Sequence, residues 1–283
     1  MNITTDAMDF VKDMYLKKFG TLETFEENFN LYQNMPDFKA CENIHEKLTN
    51  YKVDKEQLID QENEFVRGNS VKPEIHWIMR SLTQYYITEA FKSMKIDLTD
   101  PNIAVNALGK GTPGRIAKTW TGNDPEDTTE LLSGRWNKEP ALSVFPNDGS
   151  TTGGTKINTE VVKRVDIVAV CSHHFLPFST LQEGSYAIIR YIPKKYVLGI
   201  SKLQRFANWA SRRGWLQEDL TSYLGNTIKR IAQTEDVKIE LVNLVHSCEK
   251  FRGAEAHNGA LTTVFASWVY LDTVVKSESK VLY

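Results

Sequence analysis

This 283-residue chain is poor in cysteine, in surplus positive charge and in long apolar runs. Its 3 cysteines are odd in number and widely spaced, which excludes a disulfide framework and points to a reducing cytoplasm. Lys+Arg 34 against Asp+Glu 36 leaves no basic excess of the kind a nucleic-acid binder carries, so no nucleic-acid partner is expected, although a local basic pocket is still allowed. No apolar run approaches the roughly 18 residues that cross a bilayer. The start, Met1 to Phe10, lacks a basic stretch followed by an apolar core, so neither a membrane partner nor a secretory leader is expected. What remains, 41% hydrophobic and 25% charged residues, is the composition of a globular domain with a sizeable core.

Residues 1–72 read as a polar, mostly helical accessory segment, with Phe10, Met14 and Leu16 as its apolar positions; residues 73–283 read as the main domain. Ile75, Met79, Leu82 and Tyr86 recur at helical spacing within Glu74–Met94. Thr112 is placed to cap a second helix with Pro113 at its first position, which sets Arg115 and Lys118 as an i, i+3 pair. Residues 146–159 are a Gly/Ser/Thr/Asn loop. From there the chain reads strand (161–170), strand (184–192), helix, helix, strand (237–246), strand (260–271). Ser201 with Gln204 fits a capping box at the start of the first helix, whose apolar face is Leu203, Phe206, Ala207 and Ala210. The second helix, from about Gln217 to Ala232, turns Leu220, Leu224, Ile228 and Ile231 inward.

Two ligand-type pairs fall at strand ends. Cys171-x-x-His174 follows the first strand, and His246-Ser-Cys248 closes the third. Alternation along a strand puts His246 and Cys248 on one side. Brought together, these pairs offer two thiolates and an imidazole, a donor set suited to zinc. Three protein ligands leave a fourth position for water, whose pKa zinc lowers to about 7. Cys41, His45, His76 and His257 taken singly read as ordinary buried residues.

The strings Cys171-Ser-His-His-Phe-Leu-Pro-Phe178, Ile192-Pro193, Gly199-Ile-Ser-Lys-Leu-Gln-Arg205, Ser211-Arg-Arg213, Leu216-Gln-Glu218 and His246-x-Cys248-x-x-x-Arg252-Gly253 resemble GTP cyclohydrolase I, in that enzyme's order. Thr112-Pro113-x-Arg115-x-Ala117-Lys118 resembles its upstream helix, so the likeness spans roughly residues 74–270. The resemblance implies an α+β tunnelling fold: a four-stranded antiparallel sheet with two helices on one face. It implies a homo-oligomer whose sheets join edge to edge, with active sites between subunits. It assigns Cys171, His174 and Cys248 to zinc, and His173 and His246 to proton transfer. Glu218, with Gln217 beside it, would read the pyrimidine edge of guanine. Ser201 would be substrate-binding, and Lys202, Arg205 and Arg252 would meet the triphosphate, joined by Arg115 and Lys118 from a neighbouring subunit.

The implied reaction opens the imidazole ring of GTP, releases formate and yields 7,8-dihydroneopterin triphosphate. Ser172 stands where the family usually has Glu, and Glu249 where it usually has an apolar residue. Two other readings compete. A nitrile reductase on the same fold would use a cysteine nucleophile and NADPH without zinc, which the intact Cys/His/Cys set opposes. A silent nucleotide-binding protein would have no need of both His173 and His246.

Overall fold

The computed structural model describes residues 3–35, 71–104, 111–125, 129–140, 142–150, 154–251 and 259–271. Arg252, Cys41, His45 and His257 lie outside the described residues. The described residues form two compact units: one from residues up to 38 together with 69–138, the other from Glu139 onward.

The first unit is helical. It contains α1 (Thr5–Phe19), α2 (Phe25–Gln33), α3 (Pro73–Ser93) and α4 (Thr112–Thr121). Thr4 caps α1 by accepting from the Ala7 N–H, and Gly20, in the left-handed region at φ 77°, ends it. Ala7, Val11 and Tyr15 recur every fourth residue and pack with Phe25, Phe29, Ile78 and Leu82 into a small core. This face replaces the expected one: Leu16 is exposed, and Met14 is only half-buried. Pro73 opens α3, where its missing N–H removes no helical bond. Buried His76 bonds the Thr121 carbonyl through Nε2 at 2.6 Å, which makes it a core histidine that ties α3 to α4. The cap of α4 is Gly111, one residue before the expected Thr112, which is already helical.

The second unit contains β1 (Val144–Pro146), β2 (Val161–Val165), β3 (Val168–Val170), β4 (Pro177–Ser179), β5 (Tyr186–Tyr191), β6 (Tyr196–Leu198), α5 (Ile200–Ser211), α6 (Gln217–Ala232), β7 (Val237–His246), the short α7 (Ser247–Phe251) and β8 (Leu261–Ala266). Strands β2, β5, β7 and β8 lie side by side in that order, all antiparallel, which is the expected four-stranded sheet. The β3–β4 hairpin joins the far end of β7 through the pairs Phe178↔His246 and Ser179↔Val245. β1 and β6 form a separate pair.

Alternation sorts the sheet. Ala187, Ile189 and Tyr191 on β5, and Val237, Ile239 and Leu241 on β7, are buried in one cluster with the predicted apolar faces of α5 and α6. The opposite face carries charge: Glu240 receives Arg190 at 2.8 Å and Lys238 at 3.0 Å.

The expected strand 161–170 is broken at Asp166–Ile167. There the Gln204 side chain accepts from the Asp166 N–H and donates to its C=O, both at 2.9 Å. The expected capping box does not form either: Gly199 is the N-cap of α5, with no side-chain bond, so Ser201 already lies inside the helix. The last strand ends at Ala266, and Trp268–Tyr270 forms a 3-10 turn.

Helix α6 approaches β8 closely at Gly225, where a Cβ would lie 2.2 Å from the Phe265 ring. Gly225→Ala recovers about 1 kcal/mol of helix propensity, yet overpacking of a tight core costs about 1–3 kcal/mol. We expect a net loss of stability in denaturant unfolding. In a Phe265→Ala background the same change should become stabilising; a stabilising effect in both backgrounds would refute the close approach.

Candidate active site

The end of β7 is where the sheet stops being regular. Val237, Ile239 and Leu241 point inward, but Asn243 bulges outward at φ 54° and the register to β8 shifts between Leu241 and Leu244. The Ser185 hydroxyl donates to the Asn243 carbonyl at 2.6 Å, and the Asn243 N–H bonds Thr262 Oγ1. After the extra residue the phase is reversed: Leu244 is buried, and His246 faces α6. The bulge thus aims the histidine. The chain then turns helical, so Cys248 sits on α7 and not on the strand, as expected from alternation.

Cys171 is held by its backbone. Its N–H bonds the Leu176 carbonyl at 2.9 Å, and its carbonyl accepts from Phe175, which adopts φ 55°. The Ser172 N–H bonds the Trp215 carbonyl, and the Trp215 N–H bonds Val170, in a parallel bridge to the loop before α6. Cys171 is thereby buried at the base of a tight turn. His173 and His174 lie on that turn with ring centroids 4.2 Å apart; His173 is exposed.

Among the described residues, donor atoms of Cys171, Cys248 and His246 lie within 4.8 Å of one another. His174 is not part of this group. Both cysteines are free thiols. Burial pushes the Cys248 thiol up, and the neighbouring Cys171 adds to the rise. Two adjacent thiolates repel, and a divalent cation between them would remove that repulsion. Two soft sulfurs with an imidazole beside them therefore fit a zinc ion well.

His246 is fixed from two sides. Its ring stacks on Phe178 at 4.4 Å and 8°, and its Nε2 meets Gln217 Oε1 at 2.9 Å. Burial pushes its pKa below the ordinary value, while the carboxylates of Glu218 and Glu249 pull the other way. Glu249, beside Cys248, lies against Gly259, where any Cβ would come within 2.5 Å of its carboxylate.

The remaining predicted residues are distributed as follows. Glu218 is exposed at the first turn of α6, and Gln217 next to it is buried. Ser201 and Arg205 are exposed on the first turns of α5, and Lys202 is half-buried. Arg115, exposed, and Lys118, half-buried, lie on α4 in the first unit. Reading the sequence missed Phe178, Trp215 and the bulge at Asn243. The bulge did leave a signal: apolar residues fall at 237, 239 and 241, then at 242 and 244.

The GTP cyclohydrolase I family profile matches residues 96–280. GTP cyclohydrolase 1 of Wigglesworthia glossinidia brevipalpis is 31% identical over 194 residues, covering 68% of this chain and 76% of that protein. The protein of the same name from Yersinia pestis is 29% identical over 195 residues, covering 68% and 77%. That from Shewanella sp. strain ANA-3 is 27% identical over 188 residues, covering 66% and 76%. With this match, and with a four-stranded antiparallel sheet backed by two helices in the manner of the tunnelling fold, the chain belongs to the GTP cyclohydrolase I family of hydrolases.

Proposed function

We propose that this chain hydrolyses the guanine imidazole ring of GTP, releasing formate and forming 7,8-dihydroneopterin triphosphate, with one zinc ion held by Cys171, His174 and Cys248. The observation that carries this reading is the convergence of the Cys171 and Cys248 sulfurs with the His246 imidazole at the end of β7, next to the turn that holds His173 and His174. Zinc, when bound, supplies Lewis acidity and makes water a nucleophile near neutral pH.

The chain's own groups do the rest. Glu218 accepts from the amide and amino N–H groups of guanine, which adenine cannot match. His173 and His246 move protons at the purine nitrogens and at the leaving formate, because imidazole titrates near working pH. Ser201, Lys202, Arg205 and Arg252 bind the triphosphate, with Arg115 and Lys118 of a neighbouring subunit. Strands β2 and β8 each have one strand neighbour among the described residues, which leaves edges for a homo-oligomer to close. No helix among the described residues is long and apolar enough to cross a membrane. Cysteines that bind a metal through thiolates are best kept reduced, and the cytoplasm is the compartment that does so.

One observation favours a second reading of the metal ligands: His246, and not His174, has a ring nitrogen close to both sulfurs. On the first reading His174→Gln loses zinc and His246→Gln keeps it while turnover falls; on the second the two results exchange. Metal analysis of the two purified variants decides between them.

Incubation of the purified chain with GTP should release formate and a fluorescent pterin in equal amounts, with one zinc per chain. Cys248→Ser should lose zinc and turnover together, by at least about 100-fold in turnover. Full activity in that variant would sink the metal assignment, and NADPH consumption by zinc-free protein would sink the cyclohydrolase reading.

A further inference from the structure

Gln217 is 1% exposed, and every polar atom of its side chain is engaged. Its Nε2 donates to the Leu261 carbonyl at 3.1 Å and to Thr263 Oγ1 at 3.0 Å, with the Leu241 carbonyl at 3.4 Å. Carbonyls only accept, so the amide cannot be turned end for end without setting oxygen against oxygen. Oε1 is therefore the atom facing His246 Nε2 at 2.9 Å. An amide oxygen only accepts, so Nε2 must carry a proton. In neutral His246 the other nitrogen, Nδ1, is then bare.

Two threonines lock this arrangement. Thr221 Oγ1 donates to the Gln217 main-chain carbonyl at 2.7 Å, which uses its one proton. Thr263 Oγ1, 2.6 Å from Thr221 Oγ1, must then be the donor of that pair. Its oxygen in turn accepts from Gln217 Nε2. The loop of hydrogen bonds has a single direction, and it joins α6, β7 and β8. Stacking on Phe178 fixes the ring plane, so Gln217 has only to fix which nitrogen is protonated.

We propose that Gln217 is a positioning residue that holds His246 in one tautomer, with the proton on Nε2 and a bare Nδ1 available to the reaction centre, and that this is its contribution to the site rather than contact with the base. The tautomer part follows from the hydrogen-bond geometry; the kinetic part rests on the cyclohydrolase reading. A bare Nδ1 serves either role open to His246, as a proton acceptor or as a donor atom to a metal. In both, the opposite nitrogen needs a hydrogen-bond acceptor behind it.

The test uses the full-length protein as purified, labelled with [15N]histidine. The His246 resonances are assigned by their loss in His246→Gln. Wild-type protein above the His246 pKa should show one protonated nitrogen, Nε2, and one nitrogen without a proton, Nδ1. Gln217→Leu should show exchange between tautomers, with kcat for GTP down about 10–100-fold and KM unchanged. Thr263→Val leaves the Gln217 amide against the Leu261 and Leu241 carbonyls, with Oε1 still opposite Nε2, and should keep the single tautomer and much of kcat. A proton on Nδ1 in the wild type overturns the proposal. So does a single Nε2–H tautomer in Gln217→Leu, or a rise in KM with kcat intact. Should the leucine variant fail to fold, the wild-type and Thr263→Val spectra still decide. Should the wild type not turn over GTP, the cyclohydrolase reading falls, while the tautomer spectra judge the positioning role separately.

Discussion

A strand presents alternate residues to alternate faces, and β7 must satisfy two demands of opposite parity. Its first half buries Val237, Ile239 and Leu241 beneath the helices. Its end must deliver His246, an even-numbered residue, to the same side. Only an extra residue can reconcile these, and Asn243 is that residue. Much of the site follows from this one irregularity. It sets His246 against Gln217 and Phe178, and it leads into the helical turn that carries Cys248 to Cys171.

The two thiols reach the site on supports of different character. Cys171 is fixed by main-chain bonds to Leu176, Phe175 and, through its neighbours, Trp215. Cys248 stands on a five-residue helix, and Glu249 beside it rests on Gly259. Charge is graded around His246, where burial opposes protonation and two carboxylates favour it. Glu249 thus bears on the histidine directly, which gives physical content to a residue that reads in the sequence only as a departure from family habit.

The helices and the strand order were legible because apolar spacing is a local property. Leu203, Phe206, Leu220 and Leu224 turn inward as their positions demand, and the donor-rich ends of two strands announce a site. What stayed hidden depends on distant partners. Nothing near Asp166 marks the break in the first strand, because Gln204 supplies its bonds from 38 residues away. The capping box that Ser201 seemed to begin is absent because α5 starts earlier, with Gly199 as its cap. His246 takes a proton-transfer role only through the family resemblance, although alternation in the sequence already sets it beside Cys248. Gln217 was read with its neighbour Glu218, although burial gives the two adjacent side chains different surroundings.

The small aromatic core of α1, α2 and α3 lies wholly before residue 96, where the family match begins. Its seven buried side chains are satisfied by one another: Tyr15 packs edge-on against Phe25, and Phe25 stacks on Phe29. Such a cluster answers to volume, shape and one buried hydroxyl, that of Tyr15, which accepts from Asn28 Nδ2 at 3.2 Å. Natural selection can therefore rewrite the outer surfaces of these helices almost freely, while Gln217, His246 and the two cysteines have to be inherited as a set.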